Sequence, residues 1–315
     1  MQYRPLVCSF TVAGLYFAGI IHVEVKNGAL KKILTGACLL LTLNTIAQSW
    51  GVEAFVGMSN YQGDLQEKKY TFNQSRLAFG LGLSYAIDNH FVIRGALATG
   101  KIAADDKKNT DPQLINRNLN FQSQIVDFSL VGQFHLFNLY KSRINPYLLA
   151  GLAVYRHNPY TFDTLGTKYF LKPLGTEGQG LSRYPDKAPY SLTQFAIPFG
   201  GGIRFAVTEA LSISWEISAR KTFTDYLDDV SGRYADRATL LSGRGAKAVE
   251  LAFRTPEIKS GVTPYPAEGT IRGGSKYKDW YYFSGITITY RLVPYNELTF
   301  NGKKGANTGC PKSVY

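Results

Sequence analysis

The chain has 315 residues, 14% aromatic and only 18% charged, with a formal net charge of +12. This apolar content excludes a disordered chain, and the abundance of Tyr, Phe and Gly favours strands over helices. Cys8, Cys38 and Cys310 are too few and too scattered for a disulfide framework. The length suits one large domain or two small ones.

The first element is a leader. "KKILTGACLLLTLNTIAQS" carries Lys31 and Lys32, an apolar run from Ile33 to Leu43, and small residues at Thr45 and Ala47. That layout predicts a signal peptide over 30–47, cleaved after Ala47 so that Gln48 comes first. Cys38 is not placed as a lipoprotein cysteine, because the apolar run continues past it. The functional start is expected near Leu30, with residues 1–29 a mis-assigned leader. The apolar stretch Leu6 to Val23 has a membrane anchor as its alternative reading. Removal of 1–47 takes away four cations and one acid, lowering the net charge to +9 and leaving Cys310 alone. An exported chain with one cysteine points to the cell envelope.

From Trp50 onward the apolar period is close to two. A first strand, Trp50 to Asn60, carries Val52, Ala54, Val56 and Met58 on one face. In the second, Leu77, Phe79, Leu81, Leu83, Tyr85 and Ile87 alternate with Arg76, Ala78, Gly80, Gly82, Ser84 and Ala86. The third covers Phe91 to Lys101. The fourth turns Val126, Phe128, Leu130, Phe134 and Leu136 one way and Ser123, Asp127, Ser129, Gln133 and His135 the other. Pro146 to Tyr155, Phe195 to Val207, Leu211 to Arg220 and Trp280 to Leu292 complete eight strands, most about ten residues long.

Connections after the second, fourth and sixth strands are tight, and those after the first, third, fifth and seventh are long. The pattern predicts an all-β fold: an eight-stranded antiparallel transmembrane β-barrel over 48–292, with four long outer loops and three short periplasmic turns, in the Gram-negative outer membrane. A soluble β-sandwich or lipocalin-like barrel is the alternative. It would turn its large apolar side chains inward, whereas here small residues oppose the large ones, as a narrow lumen surrounded by lipid requires. Residues 293–315 form a periplasmic C-terminal tail in this reading.

Parity sends Glu53, Arg94, Asp127, Arg204, Glu216 and Arg220 into the lumen, three acids against three bases that are expected to pair. Trp50, Tyr85, Tyr147, Trp215, Trp280, Tyr281 and Tyr290 are expected in interfacial girdles. Glu177, Asp225, Asp228 and Asp229 are candidates for ordering loops at the rim. The three aspartates lie in "RKTFTDYLDDVSGRY", where the seventh strand ends.

No constellation of residues predicts catalysis, a cofactor or a metal. "GTEGQG", "FGGGIRF" and "IRGGSK" lack the G-K-[ST] end of a phosphate loop. Around Gly200 to Gly202 a bulge or close packing is the simpler cause. The spacing of Asp225, Asp228 and Asp229 does not match a calcium loop, and no histidine spacing suits zinc. His157 with Ser191 or Asp225 at the rim is the arrangement a lipid-modifying enzyme would need. The scattered basic residues do not form a nucleic-acid surface. Lys107, Lys108 and Arg117 are candidate contacts for lipopolysaccharide phosphates.

"VGMSNYQGDL", "NLNFQSQIVDFSLVGQFHLF", "PYLLAGLAVYRHNP", "PLGTEGQG", "FAIPFGGGIRF" and "RKTFTDYLDDVSGRY" follow one another in order. Together they resemble the PorG-like family of outer-membrane β-barrels, over roughly residues 49–292. The resemblance implies a non-enzymatic barrel that anchors or assists an envelope complex, with type IX protein secretion as the pathway. It implies periplasmic secretion-ring proteins as partners, which the tail would meet. A surface adhesin or protective barrel acting through its outer loops is the alternative function.

Overall fold

Alternation of large apolar and small or polar residues leaves each strand with one face for lipid and one for a narrow interior, and closure then pairs every strand edge. The computed structural model describes residues 11–12, 15–16, 50–66, 70–258, 263–276 and 278–292. The chain falls into two compact units, Met1–Ala47 and Gln48–Tyr315. In the first, Thr11–Val12 pairs antiparallel with Leu15–Tyr16. The expected signal peptide and the tail after Leu292 lie outside the described residues.

The second unit is a closed antiparallel barrel of eight strands: β1 (Trp50–Gln62), β2 (Arg76–Ala86), β3 (Phe91–Asp105), β4 (Asn120–His135), β5 (Ile144–Arg156), β6 (Thr193–Ala206), β7 (Leu211–Thr222) and β8 (Trp280–Arg291). Each strand pairs with its neighbour in sequence, and β8 returns to β1 from Trp280↔Gln62 to Arg291↔Gly51. β3 and β4 run to 15 and 16 residues, longer than their alternation suggested, and so reach beyond the apolar belt.

Leu77, Phe79, Leu81 and Leu83 on β2, Phe128 and Leu130 on β4, Leu148 and Leu152 on β5, and Phe195, Ile203 and Phe205 on β6 all face outward, with Leu81 and Leu152 each 69% exposed. The 11 residues of β2 extend about 35 Å, which at a tilt of about 40° gives about 27 Å along the axis. That matches the hydrocarbon thickness of an outer membrane. A belt of such side chains is stable in lipid and not in water.

The interior is filled. Tyr61, Phe121, Ile125, Tyr155, Tyr281 and Phe283 form a buried cluster toward the long-loop end. Tyr147 and Tyr281 are therefore not girdle residues: inward parity buries both, and their hydroxyls donate to Glu216 (2.7 Å) and Asp127 (2.7 Å). Trp50, Tyr85 and Tyr290 do lie at the short-turn rim, where Trp50 stacks at 4.7 Å on Tyr85. Gly202 keeps regular pairing on both sides. A Cβ there would come within 2.7 Å of the Tyr147 ring, so close packing rather than a bulge explains the glycine.

Five of the six lumen charges pair at two levels, and Arg204, expected to pair with an acid, forms no ion pair among the described residues. Arg94 donates two bonds to Glu216 (2.7 and 2.8 Å) and stands 3.6 Å from Glu53. Arg220 lies 3.6 Å from Asp127, donates to the Ser218 carbonyl and hydroxyl, and covers the Phe283 ring. Arg204 donates to the Leu139 carbonyl. That bond holds the β4–β5 turn beneath the barrel, where Leu139 and Tyr140 pack on Ala86 and Val92 and Arg291 lies over the Tyr140 ring. Two cavities beside Arg94, about 40 Å³ each, are large and polar enough to hold water.

The long connections are more ordered than a strand reading foresees. Residues 159–162 and 168–170 form a hairpin against β4. Among the described residues three short α-helices lie in the outer loops: α1 (Pro112–Arg117), α2 (Arg237–Arg244) and α3 (Ala246–Ala252). The starts of α1 and α2 are encoded locally. Asp111 precedes Pro112 and accepts from the Gln113 amide, and Asp236 accepts from the Thr239 amide.

Candidate functional site

"DYLDDV" (225–230) crosses the outer mouth of the barrel. Leu227 and Val230 enter the apolar cluster of Tyr61, Phe121, Ile125 and Tyr155, which makes this segment a plug. The aspartates between and beside them stay buried, so each needs partners. Asp229 has φ of +69°, a left-handed conformation that Asp tolerates better than most residues. This kink sends the two consecutive carboxylates to different partners. Asp228 receives the Tyr61 hydroxyl at 2.6 Å, and Asp229 receives Thr176 Oγ1 at 2.6 Å and the Tyr190 hydroxyl at 2.7 Å. Asp225 receives the Ser231 hydroxyl at 2.7 Å.

Glu177, from the β5–β6 loop, is fully buried. It accepts the amides of Ser231 (3.0 Å) and Gly232 (3.1 Å) and pairs with Arg272 at 3.0 Å. Gly175, Gly178 and Gly180 all have positive φ, so "GTEGQG" is a tight backbone turn that delivers this carboxylate. Arg272 also donates to the carbonyls of Asp229 (2.9 Å) and Ala252 (3.3 Å). One guanidinium thus ties the plug to α3 and to the β5–β6 loop.

A second arginine extends the network. Arg117 gives two 2.8 Å bonds to Asp106 and others to the carbonyls of Asp64 and Arg272. It is therefore committed to loop structure and does not face solvent as a lipopolysaccharide contact. Lys107 and Lys108 are exposed. Asp279, just before β8, accepts the Leu227 amide at 2.9 Å and lies 3.3 Å from the Tyr61 hydroxyl.

Burial dominates the electrostatics. It raises the Asp225 carboxyl to about 6, despite the Ser231 bond. It raises Asp229 to about 6 as well, against the opposing pull of Arg272. Asp228 and Asp279 rise well above the ordinary range, through burial and then the neighbouring carboxylates. Burial works against the Arg272 charge, but Glu177 and Asp229 outweigh it and raise its pKa.

His157 is buried beneath this network, stacked on Tyr190, with Nε2 3.3 Å from the Tyr226 carbonyl. Desolvation lowers its pKa to about 4. Ser191 is exposed and donates to the Thr193 carbonyl. No hydrogen bond joins His157 to Ser191 or Asp225 among the described residues, so neither candidate pair is assembled. Among the described residues no group of three His, Cys, Asp or Glu side chains is placed to hold a metal ion.

Asp64, Asp106, Arg272 and Asp279 escape the sequence reading, and Arg117 enters it only as a surface contact, because most of their partners lie far away in sequence. Arg272 sits in "IRGGSK", a stretch that draws attention to its glycines. Gly273 is in fact needed there, since a Cβ would meet Asp64 at 2.4 Å and Val230 at 2.6 Å.

The fold has solved counterparts at low similarity. Neisserial surface protein A is 10% identical, with 78% of this chain and 98% of that chain covered and a TM-score of 0.39. A major outer-membrane protein from Thermus thermophilus is 13% identical, covering 78% and 100%, at 0.37. The attachment invasion locus protein Ail of Yersinia pestis, solved with the heparin analogue sucrose octasulfate, is 10% identical, covering 78% and 99%, at 0.36. These scores are too low to carry an argument about function. No curated protein matches the sequence. The lipid-facing belt, closed sheet and short-turn end of the barrel themselves define an outer-membrane, multi-pass β-barrel. A family model described as a domain of unknown function, DUF6089, matches residues 31–244, and the chain belongs to that family.

Proposed function

We propose that this protein is a non-enzymatic outer-membrane scaffold whose capped outer face docks a component of an envelope assembly. The observation that carries this reading is the cap itself. Loops 157–192 and 223–279 are locked together by Arg272–Glu177, Arg183–Glu268 and the Tyr184 hydroxyl, which accepts from the Asp236 amide. A preformed face lowers the ordering cost of binding. The filled lumen supports a scaffold over a conduit. The resemblance to PorG-like barrels suggests type IX secretion as the assembly, with the segment after Leu292 reaching its periplasmic ring.

The same ordered face also favours a second reading, in which the protein is an adhesin or protective barrel. A deletion strain separates them. Loss of many exported proteins from the culture medium supports the scaffold. Intact export with lost surface attachment supports the adhesin and overturns the scaffold.

A further inference from the structure

A cleft of about 1210 Å³ lies beside the plug, between the β1–β2 loop, α1 and the last third of the β7–β8 loop. Its lining includes the apolar Tyr234, Phe253 and the 70%-exposed Ile271, beside Arg117 and Arg272, whose guanidiniums are paired with Asp106 and Glu177. Its outer edge is cationic, formed by Lys221, Lys276 and Lys278. The lining carboxylates are Asp64 and Asp111. Asp64 accepts the Gly274 amide, and Asp111 caps α1.

The position of this edge identifies the kind of ligand. Lys221 and Trp280 are cross-strand partners at the outer ends of β7 and β8. Lys221 shares the outward face of β7 with Trp215 and Ile217, and Trp280 packs edge-on at 5.6 Å against outward-facing Phe199. The cleft therefore opens onto the lipid-facing wall at the level of the headgroups, where Lys and Trp find both an apolar and a wet side. A soluble anion would need the lysines alone. The apolar lining residues and the lateral opening suit an anion that carries hydrocarbon.

We propose that this cleft binds the phosphate-bearing headgroup of an outer-leaflet lipid, with Lys221, Lys276 and Lys278 meeting the phosphate and the chains descending past Trp280. Lys107 and Lys108 do not line the cleft, although α1 on the same β3–β4 loop does. The site depends only on the membrane placement of the barrel.

The test is titration of the full chain, in phosphatidylcholine nanodiscs, with bis-phosphorylated lipid A. The triple variant K221Q/K276Q/K278Q is expected to lose about tenfold or more in affinity, since each cation removed from a site facing an anionic headgroup weakens the attraction. The control K107Q/K108Q is expected to stay within about twofold, as scattered surface charges do. Inorganic phosphate at equal phosphate concentration is expected not to compete. Unchanged binding by the triple variant, equal losses in both variants, or full competition by inorganic phosphate overturns the proposal. The single change K221E guards against misfolding, because the exposed Lys221 side chain makes no hydrogen bond or ion pair among the described residues. Folded K221E that binds lipid A as tightly as the native chain also overturns it.

Discussion

Replacing Arg272 by methionine tests whether one guanidinium holds the plug in place. Methionine keeps most of the buried stem but removes the 3.0 Å pair with Glu177 and the bonds to the carbonyls of Asp229 and Ala252. Glu177 would keep the Ser231 and Gly232 amides yet lose its counter-charge while fully buried. Breaking such a pair costs about 3–5 kcal/mol. At about 1.4 kcal/mol per decade, the opened cap should become populated two to three and a half powers of ten more often. Hydrogen exchange at the amides of Ser231 and Gly232 reads this directly, with Glu216 and Ser218 on β7 as internal controls. The double variant R272M/E177Q should recover most of the loss, because it leaves no unpaired charge. R272K should recover little, since an ammonium does not reproduce the guanidinium's spread of donors. Native-like exchange at Ser231 and Gly232 in R272M, or an equal acceleration on β7, would refute the reasoning.

Three further outcomes follow from the same geometry. Asp225 and Asp229 hold protons more tightly folded than unfolded, with pKa values of about 6 against about 4 in an open chain. Their contribution is complete below the lower value and is lost as pH rises through the higher one. Lys278 and Arg272 oppose this rise, while Asp64 and Glu177 reinforce it. Exchange at Ser231 and Gly232, corrected for its intrinsic pH dependence, should therefore be slower at acidic than at alkaline pH, and Asp229→Asn should flatten the profile. Tyr61→Phe removes the hydroxyl that donates to Asp228 and should loosen the cap by about 1–3 kcal/mol without changing heat-modifiable migration of the barrel. Gly202→Val places a side chain against Tyr147 and should lower barrel stability by about 1–3 kcal/mol, visible as a lower urea midpoint with cap exchange unchanged.

The barrel was legible in the sequence because lipid imposes a period of two on every strand, and the unequal connections showed which end carries the loops. The inward charges were legible for the same reason, since parity alone places Glu53, Arg94 and Glu216 on one side of their strands. Parity applied consistently also places Tyr147 and Tyr281 inside. Their assignment to girdles put residue type ahead of position. Four carboxylates of the cap, Glu177, Asp225, Asp228 and Asp229, were legible as loop-ordering candidates, but their partners were not, because those contacts are tertiary. Glu177 and Arg272 are 95 residues apart, and nothing in either local pattern names the other. The one local hint is the order of "DYLDDV", in which Leu227 and Val230 frame two carboxylates. Such a segment has to bury apolar and acidic groups together. It can do so only at the mouth of a barrel lined with hydroxyl donors such as Tyr61.

The energetics of this network bear on what the cap is for. Buried ion pairs rarely stabilise a protein more than well-packed apolar side chains would. An apolar plug of Leu227 and Val230 alone would close the lumen. It would tolerate many loop arrangements above it, because apolar contacts are not directional. Fixed partners for Glu177, Asp228, Asp229, Arg117 and Arg272 leave one arrangement in which each of these five buried groups is bonded. Any other leaves a buried charge unpaired and is disfavoured by several kcal/mol. The network therefore selects one outer surface rather than making the barrel stronger. A fixed surface over a filled lumen is the property that a docking scaffold requires and a solute channel does not.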